Sequence, residues 1–599
     1  MILLVGINAK YIHSNLGVYC IQAYARKQGI TDKDLQIKEY TINQEVDFIL
    51  GDIYLQKPEM IGFSCYIWNI DFVTEITKEL KKIMPDVPIW LGGPEVSYDS
   101  DRQLEKYPWI DGIMSGEGEV TFYEMLQYYL SDGGRKKSGN NIMSLSDIKG
   151  IVYRDGDKTV INETRPRMCM DEIPFPYTED VGFDIESLKN RIIYYETSRG
   201  CPYGCSYCLS SVDKKVRFRK WELVEKELKF FIDMKVPQVK FVDRTFNCDH
   251  EHTMKIWKYI NEHDNGITNF HFELSAELLT DEEIDYVSGL RPGLVQFEIG
   301  VQTANKETLK AIHRNPDLTV LKQKVAKIRE KRNIHQHLDL IVGLPYEDYA
   351  SFRESYNTVY SMKPDQLQLG FLKVLKGSPI YYDREEFGIV YQDRAPYEVL
   401  FTKWISYDDV LRLKRVEDMT ERYYNSLQFE ASLPFMVSLF ETPFDFFMNL
   451  GNYYHEMGYE GIHQSRLQNY EILLEFAVRR CGIGGEDRNV LEQLITYDIY
   501  ARENLKNRPK FINWQCEIPK DEIREFYQNE EKCHKYLSGY EGYEGNDWKQ
   551  LHRMTHLQQF DIDVLKYIEE GIIENKESRF LFDYKNRNPL DYQAGIYVV

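Results

Sequence analysis

The first part of the chain alternates short apolar runs with stretches whose apolar residues recur at helical spacing. Ile2–Ile7 is continuously apolar, which is typical of a strand buried on both faces. Ile70–Ile83 carries its apolar residues on one helix face. Further strands are predicted at four places: Leu35–Tyr40 (alternating, as an edge strand does), Met60–Ser64, Pro88–Leu91 and Gly112–Met114. This alternation predicts a doubly wound, Rossmann-like α/β domain over residues 1–135.

Residues 136–190 do not continue the alternation of strands and helices and are predicted to be a linker. The polar, glycine-rich segment Asp132–Gly139 marks its start. Ile151–Tyr153 and Thr159–Ile161 flank the dipeptide Asp155-Gly156, which favours a tight turn. The linker is therefore expected to contain a β-hairpin.

Strands and helices alternate again over residues 191–380. Six strands are predicted: Ile192–Thr197, Gln238–Asp243, Phe270–Ala276, Val295–Val301, His337–Gly343 and Gln366–Val374. Six regular strand–helix repeats suit a full or partial TIM-like barrel, and we expect a (β/α)6 partial barrel. Beyond residue 380 the pattern becomes helical and rich in aromatic residues, which predicts a mostly helical C-terminal domain over residues 381–599.

Length and charge narrow the class of protein. A chain of 599 residues has room for roughly three or four domains of ~150 residues each. Asp and Glu number 95 against 74 Lys and Arg, a net charge of −21, so broad nucleic-acid binding is not expected. No apolar run approaches the ~18 residues of a transmembrane segment. The apolar N-terminal segment is typical of a buried strand. It lacks the basic flank and the cleavage site of a signal peptide, which predicts a cytoplasmic protein.

Three cysteines crowd into the loop after the first predicted barrel strand. Cys201, Cys205 and Cys208 form the spacing Cys-x3-Cys-x2-Cys, and Gly200 and Gly204 let the backbone curl around their sulfurs. Each thiolate can bind one iron of a [4Fe–4S] cluster, which leaves the fourth iron open to a substrate or cofactor. Zinc is the main competing metal, but it usually recruits a fourth Cys or His at a paired spacing. Structural cysteines without a metal are the other alternative.

The cysteine motif at the head of a barrel, with the aromatic Tyr207 before its last cysteine, resembles the radical S-adenosylmethionine (SAM) superfamily. Phe297–Thr303 is similar to the family's fourth-strand segment, so the resemblance implies that Glu298 contacts the SAM ribose and that Gln302 belongs to the cofactor site. Asp339–Glu347 is similar to the fifth-strand segment that lines the adenine, which implicates Gly343 and Pro345.

The second-strand segment departs from the family pattern. The family often has Gly-Gly-Glu there for the SAM amino group, whereas this chain has Val242–Asn247. Asp243 is the candidate contact at this place. Pairing with Arg244 or a helix cap are the alternatives for this carboxylate.

Small and acidic residues follow the strands of the first domain, where a doubly wound sheet binds its ligands. Paired glycines let a bulky ligand lie directly on the backbone, and a serine can hydrogen-bond to it. This arrangement resembles the cobalamin (B12) domains that are fused in front of radical SAM barrels. The candidate cobalamin contacts are Ser64, Gly92, Gly93, Glu95, Gly116 and Glu117.

His13 lies in the loop after the first strand, where many cobalamin domains carry Asp-x-His-x-x-Gly with a cobalt-binding His. This chain has no Asp two residues before His13, and the spacing to Gly17 is one residue longer. A ligating His normally needs a partner that fixes its tautomer and orientation. We therefore predict that His13 is a hydrogen-bonding loop residue and does not bind cobalt.

Together the resemblances imply a cobalamin-dependent radical SAM enzyme of a subgroup with an uncharacterised C-terminal extension. The implied cofactors are a [4Fe–4S] cluster, SAM and cobalamin. The implied reaction is methylation of an unactivated carbon of an unknown organic substrate. A reducing donor such as flavodoxin or ferredoxin is the expected partner. The alternatives are a cyclisation, reduction or rearrangement without methyl transfer, and a non-catalytic cobalamin or redox sensor.

Overall fold

The computed structural model describes residues 1–131, 144–189, 191–540 and 548–599 of the chain. The predicted glycine-rich loop over residues 132–139 lies outside the described residues. Within them, no helix is both long enough and apolar enough to cross a bilayer.

The first sheet has the predicted doubly wound architecture. Its strand order is β2-β1-β3-β4-β5-β6-β7, in which β1 to β5 are parallel and the last two are antiparallel. The strands are β1 Ile2–Asn8, β2 Leu35–Thr41, β3 Met60–Ser64, β4 Ile89–Gly92, β5 Gly112–Met114, β6 Ile151–Asp155 and β7 Lys158–Ile161. The helices are α1 Leu16–Lys27, α2 Val46–Gln56, α3 Ile70–Ile83, α4 Ser100–Lys106 and α5 Gly118–Leu130.

The position of strand β1 between two layers of helices explains why its sequence is continuously apolar. Leu3 and Val5 face the core that contains residues of α2 and α3, whereas Ile2 and Leu4 face the core that contains residues of α1 and α5. A strand between two helical layers needs apolar side chains on both faces. The predicted hairpin is also present, and its strands β6 and β7 extend this same sheet.

The second sheet is the predicted six-stranded partial barrel. All its neighbouring strands are parallel, in the order β15-β14-β13-β12-β11-β8. Its strands are β8 Ile192–Tyr195, β11 Gln238–Phe241, β12 Asn269–Leu274, β13 Val295–Gln302, β14 His335–Val342 and β15 Gln366–Phe371, with the short pair β9 Ser198–Arg199 and β10 Arg217–Phe218 beside them. Its helices are α6 Trp221–Asp233, α7 His250–Glu262, α8 Asp281–Val287, α9 Lys306–Ala311, α10 Leu318–Arg329 and α11 Tyr349–Tyr360.

The C-terminal region is mostly helical, as predicted. Its helices are α12 Pro379–Asp383, α13 Tyr407–Met419, α14 Ser432–Ser438, α15 Pro443–Glu456, α16 Arg466–Arg479, α17 Gly485–Arg502, α18 Lys520–Cys533, α19 Trp548–Met554 and α20 Val564–Glu570. Two short strands, β16 Val390–Tyr391 and β17 Val399–Phe401, pair near its start. It also contains an antiparallel sheet that the sequence analysis did not anticipate: β18 Thr555–Phe560, β19 Ser578–Arg587 and β20 Ala594–Val598.

Both edge strands of the partial barrel are covered by neighbouring domains. At β8, the Ile192 amide donates to Ile12 O (2.7 Å), and Ser14 Oγ donates to Ile192 O (2.9 Å). At β15, Asn425 accepts from the Leu367 amide (2.8 Å) and donates to the Leu367 carbonyl (2.9 Å). Asn425 thus replaces the backbone of a missing neighbouring strand.

We predict that Asn425→Ala loosens the β15 edge. The substitution leaves two backbone groups of Leu367 without their partner, at a cost of about 1–3 kcal/mol. Hydrogen–deuterium exchange over Gln366–Phe371 should therefore become faster. Asn449→Ala is the matched control, because the Asn449 side chain donates only to Asp445 O on an exposed part of α15. Equal exchange in the two variants would contradict the prediction.

Candidate functional site

The three cysteines lie on one loop that is closed at its base. Ser198–Arg199 pairs antiparallel with Arg217–Phe218, so the chain leaves the barrel and returns beside itself. Within the loop, the Cys201 amide donates to Asp213 O at 2.8 Å. Gly200 has a φ of +104°, and a Cβ there would lie 2.5 Å from Lys215 O. Only glycine suits this position, as the sequence analysis expected.

The Cys205 thiol lies in the electrostatic field of Arg314 and of the other two cysteines. All three cysteines are free thiols. Burial raises the pKa of the Cys205 thiol against the opposing charge of Arg314, and the Cys208 and Cys201 thiols raise it further. Arg314 is itself largely buried and donates to the Tyr207 hydroxyl at 3.2 Å. A buried guanidinium beside the loop favours thiolates and other anions there.

The three cysteines are candidate ligands of a [4Fe–4S] cluster, in which each cysteine binds a different iron. Among the described residues, they do not form a compact group whose ligand atoms all lie within 4.8 Å of one another. A further cysteine, Cys248, lies near the loop. Burial raises the pKa of its thiol, and the charges of Asp243, Asp249 and Cys201 raise it further.

Charged side chains line the lumen of the partial barrel. Lys240 Nζ lies 2.9 Å from Glu298 Oε2, and His271 Nε2 lies 3.0 Å from the same oxygen. Burial opposes ionisation of Glu298, but the His271 hydrogen bond and the Lys240 charge outweigh it and hold the pKa of Glu298 well below its usual range. On the next strand, His337 Nε2 lies 2.7 Å from Asp339 Oδ1. Glu298 is therefore an ionised group in the middle of the lumen.

Gln302 lies at the mouth of the lumen in an unusual conformation. It has a φ of +73°, and the β13–β14 register shifts between Gly300 and Gln302. A bulge of this kind redirects a side chain. A Cβ on Gly300 would lie 2.3 Å from Gln302 Nε2 and 3.2 Å from an Arg314 nitrogen. The absent side chain of Gly300 thus makes room for Gln302 beside Arg314.

Asp243 and Gly343, two of the predicted SAM contacts, make close contacts with other residues of the protein. Asp243 is buried and accepts hydrogen bonds from Thr197 N (3.0 Å), Thr197 Oγ1 (2.7 Å) and Ser198 Oγ (2.6 Å). Burial raises the pKa of Asp243 to about 6. These bonds connect Asp243 to the start of the cysteine loop.

A Cβ on Gly343, whose φ is +89°, would lie 2.7 Å from the Val399 side chain. Pro345, two residues further on, is buried.

The carboxyl edge of the first sheet offers small residues and backbone. Asn15 Nδ2 lies 3.3 Å from Ser64 Oγ, which connects the loop after β1 to the end of β3. A Cβ on Gly93 would lie 2.5 Å from Cys65 O, so this glycine permits a close approach of two strand ends. A Cβ on Gly92 would only touch Met114 at 3.4 Å, and one on Gly116 would meet nothing within 4 Å. Protein atoms thus fill the space beside Gly93, open space is left beside Gly116, and a direct cofactor contact remains a prediction for these glycines.

The two predicted acidic contacts at this edge are engaged by other domains. Glu117 accepts from Arg217 (2.7 Å) and from the Met168 amide (2.7 Å). Glu95 accepts from the Tyr397 hydroxyl of the C-terminal region. These carboxylates join the cobalamin-type edge to the rest of the molecule, and a direct cofactor contact remains a prediction for them.

His13 also contacts the barrel. Its Nδ1 lies 2.9 Å from the hydroxyl of Tyr194, a residue of β8. Burial and the charges of Lys10 and Lys240 lower the pKa of His13, which favours the neutral ring. His13 is therefore a hydrogen-bonding loop residue in this structure.

Several residues of the site were missed by the sequence analysis. Lys240 and His271 alternate with the buried Val239 and Phe270, and this period of two could have assigned them to the lumen. Arg314 follows a short helix, and no local pattern points to its position beside the cysteine loop. Tyr397 likewise carries no signal, because its partner Glu95 is 302 positions away.

Three family models match successive parts of the chain. A B12 binding domain matches residues 2–126, and the radical SAM superfamily matches residues 195–359. A protein family of unknown function, DUF4080, matches residues 385–582.

Known proteins share this organisation. The cobalamin-dependent radical SAM methyltransferase TokK of Streptomyces tokunonensis is 26% identical, over 54% of this chain and 48% of its own. The anaerobic magnesium-protoporphyrin IX monomethyl ester cyclase of Cereibacter sphaeroides is 22% identical, over 57% and 55%. The chain spans about half the length of these relatives. The structure of the cobalamin-dependent SAM radical enzyme OxsB with aqua-cobalamin has a TM-score of 0.56 at 16% identity, covering 83% of this chain and 79% of its own.

The fold and the site thus define an α/β protein with two adjoining cofactor domains. The chain contains a B12-binding domain, a radical SAM domain and a C-terminal DUF4080 domain, in that order. The predicted cobalamin-binding and radical SAM domains, and with them the predicted cofactor classes, are confirmed at the level of the domain family. The roles of individual residues remain predictions.

We predict that Gly300→Ala weakens SAM binding about tenfold, since a change of about 1.4 kcal/mol corresponds to one power of ten. The new Cβ would displace Gln302 from the lumen mouth, while the cysteine loop stays intact. Isothermal titration of reconstituted protein with SAM measures the effect, and iron counting verifies the cluster. Gly289→Ala is the control, because its nearest contact would be an ordinary 3.5 Å. SAM affinity unchanged in Gly300→Ala would contradict the assigned geometry.

We also predict that His13 does not bind cobalt. The Nδ1 bond to Tyr194 leaves Nε2 free, so the prediction rests on the altered motif and on the backbone of the loop, which pairs with Ile192 of the barrel. The electron paramagnetic resonance spectrum of the Co(II) form should lack nitrogen splitting of the cobalt lines. A three-line pattern that disappears in His13→Ala would show that the prediction is wrong.

Proposed function

We propose that this protein is a cobalamin-dependent radical SAM enzyme that cleaves SAM reductively. The observation that carries the proposal is the cysteine loop. Cys201, Cys205 and Cys208 are free thiols on one loop whose base is closed by paired strands, and the charge of Arg314 acts on the Cys205 thiol. We assign them as the ligands of a [4Fe–4S] cluster. When bound, the cluster supplies the electron for SAM cleavage, and cobalamin supplies methyl-transfer or redox chemistry.

The lumen beside this loop suits SAM, which carries a sulfonium, an ammonium and a carboxylate. Arg314 offers a charged fork to the carboxylate, and Gln302 beside it offers an amide to the neighbouring polar groups. Glu298, which Lys240 and His271 hold ionised, offers a carboxylate to the cationic groups of SAM. In a space from which water is partly excluded, the attraction between such charges and a ligand is stronger than in bulk water.

We further propose methyl transfer to an unactivated carbon of an organic substrate. The glycine edge of the first domain is attached to the barrel by Arg217–Glu117 and by Tyr194–His13, which supports a cobalamin that faces the barrel. The similarity to a methyltransferase favours this reaction, whereas the similarity to a cyclase favours radical chemistry without methyl transfer. A reducing one-electron donor such as flavodoxin or ferredoxin is the partner that either reaction needs.

Two assays test the function. Release of 5′-deoxyadenosine from SAM under a chemical reductant separates an enzyme from a cofactor sensor. Incubation of the reconstituted protein with methyl-labelled SAM and an extract of the native cells, followed by mass spectrometry, separates the reaction classes. Label in a new product supports methylation, and a modified product without label supports the cyclase-like alternative. No 5′-deoxyadenosine under any condition would contradict the proposal.

We predict that Cys201→Ala, Cys205→Ala and Cys208→Ala each abolish the cluster and SAM cleavage. Each thiolate would hold a different iron, so no neighbour replaces it. Anaerobic reconstitution followed by iron counting measures the loss. Cys248→Ala is the matched control, because its thiol is close enough to sense Cys201 but lies outside the motif. A cluster lost in Cys248→Ala as well would mean that the metal site has a fourth protein ligand.

A further inference from the structure

The DUF4080 domain begins with a segment that pairs with the open edge of the barrel. We call residues 390–404 the strap; it contains strands β16 and β17. Beyond the end of β15, the Val374 amide donates to Tyr397 O (3.0 Å), and the Val399 amide donates to Leu372 O (2.9 Å). An antiparallel bridge joins Lys373 and Glu398. The strap therefore acts as an added strand at the mouth of the barrel.

On one side, the strap contacts the loop predicted to line the SAM adenine. Val399 fills the space where a Cβ of Gly343 would lie, at 2.7 Å. The ring of Trp404 lies 4.5 Å from the ring of Tyr346, centroid to centroid. Tyr346 has a φ of +64°, which is uncommon for a residue with a side chain. Contacts from the strap hold this loop in a conformation that its sequence does not favour.

On the other side, the strap contacts the loop that follows β4 at the cobalamin edge. The Tyr397 hydroxyl donates to Glu95, which is separated from the glycine pair only by Pro94. Lys376 Nζ lies 5.6 Å from the centre of the Tyr397 ring and 3.5 Å from Asp99 Oδ2. Gly377 admits the Tyr98 ring, which lies 2.3 Å from where its Cβ would be.

We propose that the strap is a positioning element shared by the two cofactor sites. Tyr397 positions the cobalamin loop through Glu95, and Val399 positions the SAM loop through Gly343. This inference rests on the proposed function, because it assumes that both loops bind their cofactors. Loops that bind ligands gain affinity when they are held in the bound conformation before binding. The strap thus gives a function to the first part of a domain family that has none assigned.

The cobalamin arm of the test is a double-mutant cycle on the full-length protein with hydroxocobalamin as the probe. Tyr397→Phe and Glu95→Gln should each weaken binding about fivefold to tenfold, and the double variant should be no weaker than either single one. SAM affinity should not change in Tyr397→Phe. Tyr40→Phe is the control, because it removes a hydrogen bond to Asp52 within the same domain and away from the strap.

The SAM arm uses Val399. Val399→Ala removes the contact with Gly343 and should weaken SAM binding severalfold while hydroxocobalamin affinity stays unchanged. Val399→Thr keeps the shape of the side chain but buries a hydroxyl, so it should restore SAM affinity in part although the fold is destabilised, which separates positioning from loss of fold.

Distinct outcomes overturn distinct claims. Additive effects of Tyr397→Phe and Glu95→Gln, or a parallel loss of both affinities in each strap variant, would overturn the positioning role. Wild-type protein that binds neither cofactor would overturn the proposed function, and this inference with it.

Discussion

An open parallel sheet exposes the backbone groups of its two edge strands, and the need to satisfy them organises this molecule. The loop Ile12–Ser14 of the B12-binding domain covers β8. Asn425 and the strap, both from the C-terminal region, cover β15 and its extension. Each flanking domain therefore completes the barrel at one edge while it brings its own loops to the barrel. The three domains are joined by main-chain hydrogen bonds, which fix the distance between the two cofactor sites more firmly than surface contacts would.

The domain interface also explains the acidic side chains at the cobalamin edge. Glu117 is bound by Arg217, and Glu119 is bound by Arg199 at 2.6 Å. Glu95 is bound by Tyr397. These pairings join the carboxyl edge of the first sheet to the barrel and to the C-terminal region. A ligand at this edge would therefore meet carboxylates that already have partners within the protein.

Local patterns in the sequence were enough to predict most strands and the cysteine loop. Ile2–Ile7 and the barrel strands carry their signal in a few neighbouring residues, because burial on one or two faces sets a short period. Gly200 was assigned its role because a tight loop needs positive φ. By contrast, Arg314, Asn425 and Tyr397 act on partners far along the chain, and no local period marks them. In the antiparallel sheet β18 to β20, helix α20 separates β18 from β19, whereas β19 and β20 follow each other closely, so the second pair was missed although its signal is local.

The lumen of this barrel differs physically from a closed TIM barrel, in which layers of branched apolar side chains fill the interior. Here Lys240, His271 and Glu298 converge from three neighbouring strands, and each charge has a partner within 3.0 Å. Paired charges can remain in a partly buried space at modest cost, whereas unpaired ones cannot. The pairing therefore accounts for polar side chains in the lumen where a closed barrel has apolar ones. When a cationic ligand displaces water from this space, the same charges interact with it more strongly, because the local dielectric constant falls.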